Sequence, residues 1–156
     1  MNETDIIIEP GRQDIVITRL FDAPRDVVFN AITDPALIPA WWGPRSATVE
    51  VDVMEAKPGG RWRFVHRDDT GAGHGFHGVY HDVVAPERIV QTFEFEGAPG
   101  HVVLETLTLE DVDGRTRYTA QAVHQSVESR DAAVRSGMET GARETVERLA
   151  ELVAKL

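Results

Sequence analysis

The sequence predicts an α+β fold in which an antiparallel sheet curls around one long C-terminal helix. Three observations carry the prediction. Apolar and polar residues alternate with period two in seven segments bounded by turn residues. Helical spacing interrupts that series once, after the first strand. The closing segment from Ser129 sets Val134, Met138, Ala142, Val146, Leu149, Leu152, Val153 and Leu156 at the three-and-four spacing of one buried face. Strands followed by a terminal helix, without β-α alternation, define the α+β class.

Residues 1–13, ending near Pro10-Gly11, are expected to be partly frayed, and residues 14–156 to form a single domain. The first strand is Asp14–Phe21, with Ile15, Ile17 and Arg19 on one face. Pro24 suits a first helical turn, where its missing N–H is not needed. Val27, Val28, Ala31 and Ile32 continue that helix. Asp34 as cap and Pro35 as first residue start a second helix, which Trp41-Trp42-Gly43-Pro44 ends. Helices this short bury little of their own surface and must lean on a sheet. Ala47–Met54 then alternates Val49, Val51 and Val53 against Thr48, Glu50 and Asp52. Arg61–Arg67, Gly75–Val84, Arg88–Glu96, Val102–Asp111 and Thr116–Gln125 complete the strands. A helix from about Asp131 to Lys155 closes the chain.

Two hairpins decide which side chains face that helix. Asp113-Gly114 is a two-residue type I′ turn. It pairs Val112 with Arg115, and therefore Leu109 with Tyr118, Leu107 with Ala120, Glu105 with Ala122 and Val103 with His124. Leu107 and Leu109 mark the inward face, so Glu105, Tyr118, Ala120, Ala122 and His124 come with it. The hairpin around Asp68–Gly73 has a looser loop. Joining bulk to bulk there sets Phe64 opposite Gly78, Trp62 near Tyr80 and His66 near Phe76, with His77 and His81 outward.

Composition excludes several classes of function. The chain has 156 residues, 16 basic and 26 acidic, for a net charge of −10. Such a surface repels nucleic acid and anionic membranes. No apolar run approaches the ~18 residues of a membrane span, and the acidic start MNETDIIIEP is unlike a signal peptide; a cytoplasmic location is expected. Without cysteine, disulfides and thiolate metal sites are out of reach. His77 and His81 share a face about 13 Å apart at strand rise, too far for one zinc ion, so no metal is expected. A Gly-x-Ser-x-Gly nucleophile is lacking, and Gly71–Gly75 lacks the helix and Lys of a phosphate loop. No cofactor is expected.

The inward face is poor in large aliphatic residues. Gly78, Ala120 and Ala122 lie on it, and Gly137 and Gly141 lie one turn apart on the covering helix. Small residues facing small residues allow either a close approach or a hollow. Trp62, Phe64, Tyr80, Tyr118, Ala120 and Met138 are the expected lining of an apolar cavity. Trp41, Phe76, His66 and His124 extend the candidate ligand-binding set. Glu105, between Val103 and Leu107, must be paired, hydrated or protonated there. It is the candidate anchor for a ligand's polar end, or a base working with His124 or His66.

These residues fall in an ordered series: Phe21-Asp22-Ala23-Pro24, Val28-Phe29, Thr33-Asp34-Pro35, Trp41-Trp42-Gly43-Pro44 and Pro58-Gly59-Gly60-Arg61-Trp62. It continues through Gly78-Val79-Tyr80, Pro86-Glu87-Arg88-Ile89-Val90, Glu105-Thr106-Leu107-Thr108-Leu109, Gly137-Met138 and Arg148-Leu149. The series resembles bacterial proteins similar to the C-terminal domain of the heat-shock-protein-90 ATPase activator, within the START-like (helix-grip, polyketide cyclase-like) superfamily. The resemblance implies a seven-stranded helix-grip fold with a cavity beneath the C-terminal helix, and brings no catalytic residue with it. Three functions follow as expectations: binding of a small apolar or amphipathic molecule, an enzyme that cyclises, dehydrates or hydrolyses one, or a protein-interaction module that acts on a chaperone or forms a homodimer.

Overall fold

The computed structural model describes residues 2–156. Eight antiparallel strands form one sheet in the order β1-β2-β8-β7-β6-β5-β4-β3. They are β1 (Asp5–Ile7), β2 (Asp14–Phe21), β3 (Thr48–Met54), β4 (Arg61–Arg67), β5 (Gly73–Val84), β6 (Arg88–Phe95), β7 (Val102–Val112) and β8 (Arg115–Val123). The count is eight rather than the expected seven. The extra strand, β1, lies within the segment expected to fray, and its three residues pair with β2 from Asp5 opposite Thr18 to Ile7 opposite Val16.

Register follows turn chemistry. At the Asp113-Gly114 turn both residues take positive φ, 52° and 83°, and the pairing runs as expected from Val112–Arg115 to Glu105–Ala122. Strand β8 then ends. His124 donates its backbone N–H to the Gln13 carbonyl at 2.9 Å instead of facing Val103. The β4–β5 hairpin pairs Trp62 with Gly78, Phe64 with Phe76 and His66 with His74. That is two residues from the expected register, so every side chain keeps its expected face. A bulge between Val51 and Val53 places Val53 opposite Arg63, off the face of Val49 and Val51, and Met54 opposite Trp62.

Four helices accompany the sheet: α1 (Arg25–Thr33), α2 (Ile38–Trp41), α3 (Val127–Arg135) and α4 (Met138–Val153). Pro24 is the cap of α1 rather than a residue of its first turn. Asp34 makes a turn, accepting the Ala36 N–H at 2.9 Å, and α2 begins only at Ile38. The single C-terminal helix of the sequence reading is two helices. Gly137 takes φ 89° between α3 and α4, a left-handed conformation that glycine reaches without a Cβ clash. A Cβ on Gly137 or Gly141 would meet no atom within 4 Å, so neither glycine serves a close helix approach.

The core lies between α1, α2, the C-terminal half of α4 and the inner face of the sheet. Phe21, Val28, Ile38, Ile89, Leu149 and Val153 are among its fully buried members. Arg148 of α4 fastens the α2 end of this core. Its guanidinium donates to the carbonyls of Gly43 at 2.8 Å and Ala40 at 3.1 Å, with longer bonds to Pro39, Trp42 and Pro44.

Candidate functional site

The inner face divides into a filled end and a less buried end. At the filled end Trp42 packs edge-on against Phe64 at 5.2 Å and Phe76 at 5.1 Å, and Trp62 lies 4.8 Å from Phe64. Phe93 joins at 5.6 Å from Phe76. The Trp62 indole donates to the Thr92 carbonyl at 3.1 Å, directly above Gly78, where any Cβ would collide with both groups. Trp62 and Phe64 are therefore packing elements, 2% and 4% exposed. Trp41 turns away from this cluster and donates its indole N–H to the Ala31 carbonyl of α1 at 3.0 Å.

The less buried end comprises the inner face of β7 and β8. Glu105, Leu107, Tyr118, Ala120 and Ala122 are inward yet only half-buried, as are Met138, Ala142 and Thr145 on the facing side of α4. One turn further along the same helix stripe, Val146, Leu149 and Val153 are fully buried. The inner stripe of α4 is thus sealed at its C-terminal end and less buried at its N-terminal end.

Glu105 lies at the less buried end of the inner face. Gln91, its register partner on β6, donates its amide to the Glu105 carboxyl at 3.0 Å. Burial pushes the carboxyl above its ordinary range, and the Gln91 bond offsets only part of that shift. Burial and the nearby Glu105 charge raise the Tyr118 phenol. Tyr80, opposite Gln91 on β5, is buried and raised by burial alone. The chemistry available is thus one carboxyl whose charged form burial disfavours, one amide and two phenols that burial keeps un-ionised.

Neither histidine proposed as a partner reaches Glu105. His124 stands at the end of β8 beside α3, where burial and Arg130 lower its pKa. His66 of β4 lies 5.7 Å from the His74 ring in a tilted pair, three strands from β7 in the sheet order, and burial lowers it too. Gln91 is the residue that sequence reasoning missed. Its signal is present, since it alternates with Ile89 and Phe93 on β6, but the β6–β7 loop carries no turn that fixes which residue faces Glu105. Among the described residues no three of His, Asp and Glu converge as a metal set would, and no helix is long and apolar enough to cross a membrane.

Two surface concavities lie elsewhere. One, about 400 Å³, is lined by Arg63, Arg67, His74, Phe95 and Glu96 over Gly73 and Gly75. The other, about 180 Å³, follows Glu139, Arg143 and Glu147 along the flank of α4. Neither contains Glu105, Gln91, Tyr118 or Ala120.

The sequence from residue 22 to residue 154 matches the family model described as Activator of Hsp90 ATPase homolog 1-like protein. The chain belongs to this family. Solved structures of similar chains agree in fold over nearly the whole length. A crystal structure of a Rhodobacter sphaeroides protein is 30% identical, with TM-score 0.89, covering 99% of each chain. A solution structure from Arthrobacter aurescens is 24% identical, with TM-score 0.90, covering 97% of this chain and 92% of that one. A Chromobacterium violaceum protein is 25% identical, with TM-score 0.82, over 91% and 97%. No curated protein matches the sequence. As a member of the Activator of Hsp90 ATPase homolog 1-like family, the chain has the antiparallel sheet and C-terminal helix of the helix-grip architecture.

Proposed function

We infer that this protein binds a small apolar or amphipathic molecule in the gap between the inner sheet face and the first half of α4, in the cytoplasm. One observation carries the reading: a stripe of inward residues stays half-buried at one end while the same stripe is sealed at the other. A sheet that curls over a helix would otherwise fill this space with aliphatic side chains, whereas this chain has Ala120, Ala122 and Ala142 there. Apolar walls with a few convergent polar groups are the usual form of a small-molecule site. Glu105, Gln91 and Tyr118 supply those groups.

Anchoring is favoured over catalysis. General acid–base work needs a second titrating group within hydrogen-bond reach, and the hydrogen-bond partner of Glu105 is an amide that does not titrate. The test is native mass spectrometry of protein purified from its own cells. A retained small molecule, released on unfolding, is the expected result. Bare protein that also leaves apolar dyes unbound would refute the reading.

A further inference from the structure

The inner face carries a second charged group that the binding reading leaves without a role. Arg19 of β2 pairs in register with Tyr118, on the same face as Ile15 and Ile17, and is half-buried. Its Nη1 donates to the Thr4 hydroxyl at 2.9 Å. Its Nε is buried and has no hydrogen-bond partner among the described residues. A guanidinium nitrogen withdrawn from water with its N–H unmade is costly, and folded proteins normally give such a donor a carboxylate or carbonyl.

Arg130 shows what a purely structural arginine looks like in this molecule. At 3% exposure it donates to the carbonyls of Glu9 at 2.8 Å and Asp14 at 3.3 Å, and to the Asp131 carboxylate at 2.8 Å. Arg19 has a single neutral partner. The inward carboxyl of β7, Glu105, cannot serve it. Glu105 pairs with Ala122, four residues along β8 from the Arg19 partner Tyr118, about 13 Å at strand rise, and it is already held by Gln91.

The position of the missing bond is informative. Thr4 takes Nη1, which leaves the Nε–Nη2 edge, the side that receives a carboxylate through two parallel hydrogen bonds. Between Arg19 and Glu105 the floor is Ile17, Ala120 and Leu107, paired side by side across β2, β8 and β7. Arg143 of α4 donates to the Thr4 carbonyl at 2.6 Å, bringing the start of the helix over this end. The order along the face is cation, apolar floor, neutral polar group.

We propose that Arg19 is the anchor for a ligand carboxylate, and that the molecule taken into the gap is an apolar carboxylic acid. The acid group lies on the Nε–Nη2 edge, reached by a swing of the half-buried Arg19 side chain. The apolar body crosses Ile17, Ala120 and Leu107, and any distal polar group meets Glu105 and Gln91. This assignment rests on the binding reading above and narrows it to one ligand class.

Fluorescence titration of the full chain with a polyene fatty acid and with its methyl ester tests it, alongside a compact pair, 2-naphthylacetic acid and its methyl ester. The wild-type protein is expected to bind at least one acid about tenfold or more tighter than its ester, the preference expected of charge-assisted bonds. Arg19→Met should bring acid and ester within about twofold while keeping ester affinity, since the apolar floor is untouched. Thr4→Val, which removes the neutral partner but not the charge, should keep the preference. If Arg19→Met does not fold, the wild-type acid and ester pairs decide the matter by themselves. Equal binding of acid and ester, or a preference that survives in Arg19→Met, overturns the anchor and leaves the binding reading standing. Failure of all four probes to bind overturns both.

Discussion

At the scale of single residues, Glu105 is where sequence, burial and chemistry meet. Its inward position is legible because Asp113-Gly114 admits one register, and the same turn sets Tyr118 and Ala120. Its partner is not legible. A hairpin loop without a defined turn leaves β6 free to slide against β7 on paper, and only the fold brings Gln91 opposite. The raised Glu105 pKa has a consequence for stability. Between the ordinary carboxylate value and the raised one, the native chain holds a proton that the unfolded chain has lost. Stability contributed by this proton is complete below the ordinary value and is lost as pH rises through the raised one. Glu105→Gln keeps the shape and removes the titration. Urea unfolding from about pH 5 to about pH 8 should show the wild type losing stability relative to the variant as pH rises. This window lies above the range of Glu96, which Arg63 and His77 hold down to about 2. Parallel curves for the two proteins would mean that Glu105 is ionised in the fold, and the neutral-carboxyl account would fail.

At the scale of elements, glycines separate what packs from what stays open. A Cβ on Gly78 would strike the Thr92 carbonyl oxygen and lie 2.5 Å from the Trp62 indole nitrogen, breaking the bond between them. Gly78→Ala should therefore cost about 1–3 kcal/mol, as overpacking does, and should red-shift the Trp62 emission as the aromatic cluster loosens. Gly141→Ala meets no atom and should instead stabilise α4 by about 0.5–1 kcal/mol, the usual gain from alanine within a helix. Equal effects of the two substitutions, read by thermal unfolding, would contradict this division. The elements themselves are legible where turn residues bracket them: β2 and β4 match their expected bounds, Asp14–Phe21 and Arg61–Arg67. They are less legible where the deciding interaction is distant. Asp5–Ile7 is too short for alternation to register, and it becomes a strand only because β2 offers an edge. The stripe from Val134 to Leu156 runs across Gly137 without interruption in sequence, and left-handed backbone at that glycine is what divides it.

At the scale of the whole molecule, the helix-grip plan joins a sealed end to a less buried one, and the sequence shows the difference only in part. It names both the aromatic residues and the small ones, but treats Trp62, Phe64, Tyr118 and Ala120 as one lining. The fold sorts them. Trp42 enters from α2, held by Arg148 bonds to the carbonyls behind it, and closes the aromatic end. Ala120 pairs with Ile17 on one side and Leu107 on the other and remains half-buried. Ala120→Leu tests whether that end is a hollow built for a ligand. An isobutyl group placed in open apolar space gains burial and displaces nothing, so unfolding stability should stay within about 1 kcal/mol of the wild type or rise. The same group occupies the space between Ile17 and Leu107 on which a ligand must lie, so binding of an apolar dye should fall by about tenfold or more. A loss of about 1–3 kcal/mol would be the mark of a site already full, and a stable variant with undiminished dye binding would place the ligand somewhere other than this floor. Filling the gap without harming the fold, while abolishing binding, requires that the residues which leave it open are there for the ligand rather than for the core.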